Sequence, residues 1–115
     1  MCDSIRNSQR LANMYIAMYS SSAKVVAFCS VVPRPNPVGM ARHEFRELAN
    51  AFNAQLKMRL ANFPHLIYWC HRHLDRFLYR SDDGRHFESR GELKFYLSLR
   101  HAVKQGQRIF ASLFP

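Results

Sequence analysis

Val25-Val26-Ala27-Phe28-Cys29-Ser30-Val31-Val32, followed at once by Pro33-Arg34-Pro35-Asn36-Pro37, is the stretch on which the fold turns. Every residue of the first part except Ser30 is apolar, and most are β-branched or aromatic, so residues 24–32 read as a strand buried on both faces, as in a parallel sheet covered by helices. The prolines stop it, because each lacks a backbone donor and restricts the residue before it. An extended loop is therefore expected as far as Gly39.

Downstream, Phe45, Leu48, Ala49, Phe52, Leu56, Leu60 and Phe63 recur at helical spacing, with Arg42, Arg46, Asn53, Lys57 and Arg59 between them. Residues 41–62 are thus expected to form a long amphipathic helix that ends at Pro64. His65-Leu66-Ile67-Tyr68-Trp69-Cys70 then reads as a second short, buried strand, and strand, helix and strand together make a βαβ unit. Upstream, Leu11, Met14, Tyr15 and Met18 predict a helix over residues 8–19 that ends at Ser20-Ser21-Ser22. Residues 71–80 read as irregular, and Ser81-Asp82-Asp83-Gly84 as a turn. Leu93, Tyr96, Leu97, Leu99 and Val103 predict a final helix over residues 91–104, ending before Gly106. The expected order is α-β-α-β-loop-α in a single domain, residues 1–115.

The composition is compatible with a packed core: of 115 residues 48% are hydrophobic, including nine Phe, five Tyr and one Trp. The formal charge of +9 favours an acidic partner such as nucleic acid. The basic residues are scattered, with no run of five or six, which also fits a solvated surface. Three cysteines (Cys2, Cys29, Cys70) without a repeating spacing point to reduced thiols. The N-terminal residues lack the apolar core of a secretory signal, and the longest apolar stretch is far shorter than the roughly 20 residues that cross a bilayer. A cytoplasmic protein with no membrane partner is the expectation.

Asp83-Gly84-Arg85-His86 is the segment that carries chemistry. A carboxylate three residues ahead of an imidazole can sit in one tight turn, orient the ring and stabilise its charged form, as a base for acyl transfer requires. The plainer reading is a polar turn in which Asp83 accepts backbone N–H groups. Asp82 is one residue too far for that pairing. Cys70-His71-Arg72-His73, with His65 nearby, has the residue types of a zinc site but not the spacing, so no metal and no cofactor are expected. Ser20, Ser21 and Ser22 read as loop and Ser30 as buried. Phe77, Tyr79, Phe95, Tyr96 and Phe110 lie among arginines but read as core.

The order of elements and the residues around His86 resemble the C-terminal portion of an SGNH (GDSL-type) hydrolase. The family's last block is an Asp-x-x-His pair, commonly Asp-Gly-x-His with Asn or Pro two residues on and Gly soon after. Here the block reads Asp83-Gly84-Arg85-His86-Phe87-Glu88-Ser89-Arg90-Gly91, with Glu88 in the Asn or Pro position. Val31-Val32-Pro33-Arg34-Pro35, the long helix after it and Ile67-Tyr68-Trp69 resemble the stretch upstream of that block.

The resemblance implies an α/β fold: a truncated three-layer α/β/α, flavodoxin-like arrangement with about two parallel strands and flanking helices. It also implies catalytic roles, His86 as general base and Asp83 as its orienting partner. The family's serine lies in a Gly-Asp-Ser block at the start of the domain, and its oxyanion donors come from that block and two others. Asp3-Ser4 echoes the first block but stands too few strands ahead of Asp83 to match it. The chain is therefore expected to be an esterase-like portion, inactive alone, that meets an ester substrate only when an upstream segment completes it. Self-association through an exposed sheet edge is expected as well. The alternative is a small basic binding module, with nucleic acid as partner.

Overall fold

The structure, a computed structural model, describes residues 2–19, 24–32, 34–72, 74 and 78–115, excepting the side chains of residues 2–5, 18 and 19. Ser20, Ser21, Ser22, Pro33, His73, Phe77 and the side chain of Met18, all read above, lie outside the described residues. The elements are α1 (Cys2–Tyr19), β1 (Val26–Cys29), α2 (Arg42–Leu60), β2 (Leu66–Trp69) and α3 (Ser89–Leu113). The strands pair in parallel, Val26 opposite Leu66 and Cys29 opposite Trp69, so β1-α2-β2 is the βαβ unit read from the sequence. This is a mixed α/β architecture.

Strand alternation sends successive side chains to opposite faces. Val26, Phe28, Leu66 and Tyr68 face the core formed with Leu56, Leu60 and Phe52 of α2 and with Tyr15 and Ile16 of α1. Phe28 lies at its centre, and the Tyr15 ring meets it edge-on at 5.0 Å between centroids. Trp69 alternates to the other face, where its indole N–H donates to Ser98 Oγ of α3 at 3.0 Å. Helices thus cover both faces of the strand pair.

Strand β1 is shorter than the apolar run from which it was read. Its ladder closes where the Ser30 N–H donates to the Trp69 carbonyl at 2.8 Å. One residue on, the Asn53 side chain accepts the Val31 N–H at 2.8 Å and donates to the Val31 carbonyl at 2.9 Å. An amide from α2 therefore takes both main-chain groups that a neighbouring strand would use. The end of α2 is closed by N–H groups of Ala61 and Phe63 bonding back to Lys57 and Leu60, and Pro64 follows.

The terminal helices correct the sequence reading in their length and in the face they bury. α1 begins six residues before residue 8, and α3 runs through Gly106 to Leu113. Ile109, Phe110 and Leu113 extend the apolar pattern beyond the glycine, whose missing side chain leaves a helix intact. Among the described side chains of α1 the buried ones are Ser8 (3% exposed) and Ala12 (0%), whereas Leu11 and Met14, whose spacing predicts the helix, are 54% and 51% exposed. On α3 the buried residues are Gly91 and Ala102, and Leu93, Tyr96, Leu97, Leu99 and Val103 are exposed. Small residues let a helix backbone approach closely, and two strands of four residues offer a surface too narrow to cover the wider apolar flanks.

Candidate active site

At the carboxyl ends of β1 and β2 the chain opens a cleft of about 800 Å³, lined by Cys29 at the end of β1, Ser30 after it, His71 after β2, and Arg85 and His86. The rim of parallel strands is where α/β folds place their ligands, because the loops there are free of the packing between layers. Burial raises the pKa of the Cys29 thiol and lowers that of the His71 imidazole.

His86 reaches this cleft on a short hairpin. Tyr79 and Phe87 form an antiparallel bridge, and the Glu88 N–H donates to the Leu78 carbonyl and the Arg80 N–H to the His86 carbonyl, both at 2.7 Å. The Tyr79 and Phe87 rings stack at 4.6 Å, and Phe87 continues to Phe95 of α3 at 5.6 Å. Gly91 lets α3 abut the hairpin: a Cβ there would run into the Leu78 carbonyl and lie 2.8 Å from Phe87 Cδ1.

Gly84 sits at the turn with φ of +63°, a conformation that favours glycine, and a Cβ on it would lie 2.9 Å from Asn36 Cβ. The proline-rich loop is pressed against this turn. The Asn36 N–H donates to the Gly84 carbonyl at 3.2 Å, its side-chain amide to the Asp83 carbonyl at 3.0 Å, and Arg85 Nε to the Asn36 carbonyl at 3.0 Å.

Within the turn, one Asp83 oxygen accepts the N–H groups of Arg85 (2.9 Å) and His86 (3.2 Å), and the other lies 2.6 Å from His86 Nδ1. Three donors around one carboxylate hold its pKa well below the usual range; the Arg85 N–H contributes most, followed by the His86 ring. The pair read from the sequence is thus brought together, and Asp83's hold on the backbone N–H groups of the turn coexists with its hold on the ring. With Nδ1 engaged, Nε2 is the ring atom left for proton transfer, and His86 lines the cleft with its side chain 76% exposed. Asp82 is held elsewhere, bidentate on the Arg80 guanidinium at 3.1 and 2.6 Å.

Two serines bear on the question of a nucleophile. Ser30 is buried as read, and its Oγ accepts the His71 N–H at 2.9 Å. Ser98, which the sequence reading passed over, lies 2.6 Å from His71 Nδ1. An indole can only donate, so Ser98 Oγ accepts from Trp69, and the same hydroxyl is hydrogen-bonded to His71 Nδ1. This hydroxyl ties α3 to the end of β2. It also sits in mid-helix, where every neighbouring N–H is spent on the helix itself and none can stabilise an oxyanion. Ser98 stands seven residues after Gly91 and four before Ala102, the buried residues of α3, which places it on the inner face of that helix.

Among the described residues no group of three or more His, Cys, Asp or Glu side chains converges as a metal site would require, and no helix is long and apolar enough to cross a membrane. Comparisons with protein-family models, with curated proteins and with solved structures find no match.

Proposed function

We propose that this chain is an SGNH-type esterase-like domain portion, with His86 as general base and Asp83 as the group that orients it. The observation that carries the reading is the 2.6 Å contact from Asp83 to His86 Nδ1 at the carboxyl ends of two parallel strands. That geometry leaves Nε2 to accept a proton from a hydroxyl entering the cleft. The layering of helices on both faces, with α3 directly after the Asp-x-x-His turn, supports a three-layer relationship.

The nucleophile and the oxyanion donors, which contribute most of the rate in acyl transfer, come in this reading from outside residues 1–115. The bare apolar flanks of α1 and α3 support that view, since they are surfaces another part of a domain would cover. Self-association belongs to the same proposal. β1 carries no charge from Val25 to Val32, whereas Lys57, Arg72 and Lys94 flank the end of β2. Size-exclusion chromatography should show a concentration-dependent oligomer, and a monomer at every concentration would remove this part.

Hydrolysis of short p-nitrophenyl esters tests the catalytic reading. The chain alone should give no turnover above that of His86→Ala. Turnover that is lost in His86→Ala and on covalent modification of one serine would overturn the silence and identify the nucleophile. Sequencing of the transcript tests the ancestry: the reading expects upstream coding sequence with Gly-Asp-Ser and Gly-x-Asn-Asp blocks, and a message without them would overturn it.

A further inference from the structure

A second cavity, of about 650 Å³, lies at β2 and shares no lining residue with the His86 cleft. Tyr68, Trp69 and Cys70 come to it from β2 and its end, Lys57 from the last turn of α2, Arg72 from the following segment, and Lys94, Ser98 and His101 from α3. Positions 94, 98 and 101 are one helical face, so their convergence on the strand is a property of α3 as a unit. Three segments thus contribute basic groups to one concavity, and among the described residues no Asp or Glu lines it.

Like charges gathered in this way repel one another, and folding gains nothing from the arrangement unless an anion is present. The ion pairs of the described residues, Arg80 with Asp82 and His86 with Asp83, lie elsewhere. A lysine beside an open strand is a known guard against edge pairing. That role accounts for one such residue, but not for cations contributed from both helix layers around a concavity with two aromatic side chains. Its volume falls within the range of small-molecule sites.

We infer that this cavity binds a nucleoside phosphate, free or as a unit of single-stranded nucleic acid. Lys57, Arg72 and Lys94 meet the phosphate, and the ring of Trp69 meets the base, the combination used where a strand is held without regard to sequence. The site is independent of the hydrolase reading and stands if that reading fails.

Trp69 is the one tryptophan of the chain, so its fluorescence reports on this cavity alone. Titration of the full chain at low salt with ATP, oligouridine and inorganic pyrophosphate should give saturable changes with the first two and weaker binding of the third. Three phosphate contacts predict a slope of about −2 in log affinity against log salt for the oligonucleotide. Lys57→Glu with Lys94→Glu should lower affinity by about tenfold or more. Arg42→Glu with Arg90→Glu makes the same change of net charge at exposed positions outside the cavity and should leave affinity nearly intact; circular dichroism checks that both doubles fold. Response to oligouridine without ATP assigns the site to strands, and response to both assigns it to the nucleoside phosphate unit. No response to either, pyrophosphate binding as tight as ATP, or equal losses in the two double variants would each overturn the proposal.

Discussion

Alanine at either of two glycines of α3 adds the same methyl group, and the structure requires opposite effects on stability. At Gly91 the new Cβ would meet the Leu78 carbonyl and lie 2.8 Å from Phe87 Cδ1 and 3.0 Å from Leu78 Cβ. The carbonyl already accepts the Glu88 N–H and is fixed by it, so the strain has to be relieved by moving α3 off the hairpin. Overpacking of this kind costs about 1–3 kcal/mol. Alanine regains about 0.5–1 kcal/mol over glycine inside a helix, less near its end, which leaves a net loss of about 1–2 kcal/mol. At Gly106 the nearest atom to the new Cβ is Val25 Cγ1 at 3.9 Å, an ordinary contact, and the helical gain of about 0.5–1 kcal/mol stands unopposed. For a chain of this length 1 kcal/mol corresponds to roughly 4 °C, so the two variants should melt about 6–12 °C apart with the wild type between them. Thermal and urea unfolding followed by circular dichroism measure this. Gly91→Ala at least as stable as wild type would refute the close packing of α3 on the Leu78 to Glu88 hairpin. Gly106→Ala below wild type would refute the continuous helix.

Two further outcomes follow from named hydrogen bonds. Asn53→Ala removes both bonds to Val31; water can replace them at this exposed end of β1, so the loss should be about 1–2 kcal/mol in urea unfolding, and no change would mean the amide does not hold the strand end. Asp83 titrates below its unfolded value of about 3.9, so its stabilisation is complete above that pH and is lost as the pH falls through its depressed folded value. The urea midpoint of wild type should accordingly exceed that of Asp83→Asn by a constant margin near neutrality and converge with it below about pH 4; a margin that does not change with pH would sink the assignment.

The Asp83 and His86 pairing was legible because it is local. Three residues and a glycine that accepts positive φ are enough to close the turn, whatever surrounds it. What the sequence did not reveal is the brace on that turn. Asn36 stands 47 residues from Asp83 and nothing in its neighbours marks it as a partner, yet it bonds the turn's main chain from the proline loop. The links from Ser98 to His71 and Trp69 are of the same kind, made between α3 and the end of β2 across 27 and 29 residues of chain.

By itself the sequence determined the order of elements, the parallel βαβ core and the acid and imidazole turn, because apolar runs, prolines and glycines act through their immediate neighbours in the chain. Tertiary structure alone decided which helix faces are buried. The pattern of large apolar residues pointed to Leu11, Met14, Leu93 and Val103, but full burial went to Ser8, Ala12, Gly91 and Ala102, with Tyr15 and Ile16 half-buried against the core. Close approach of backbones requires small side chains at the line of contact, and a sheet of two short strands has no room to cover the rest. The gathering of Lys57, Arg72, Lys94 and His101 was settled in the same way, since a scattered charge in the chain becomes a site only when separate elements bring it to one place.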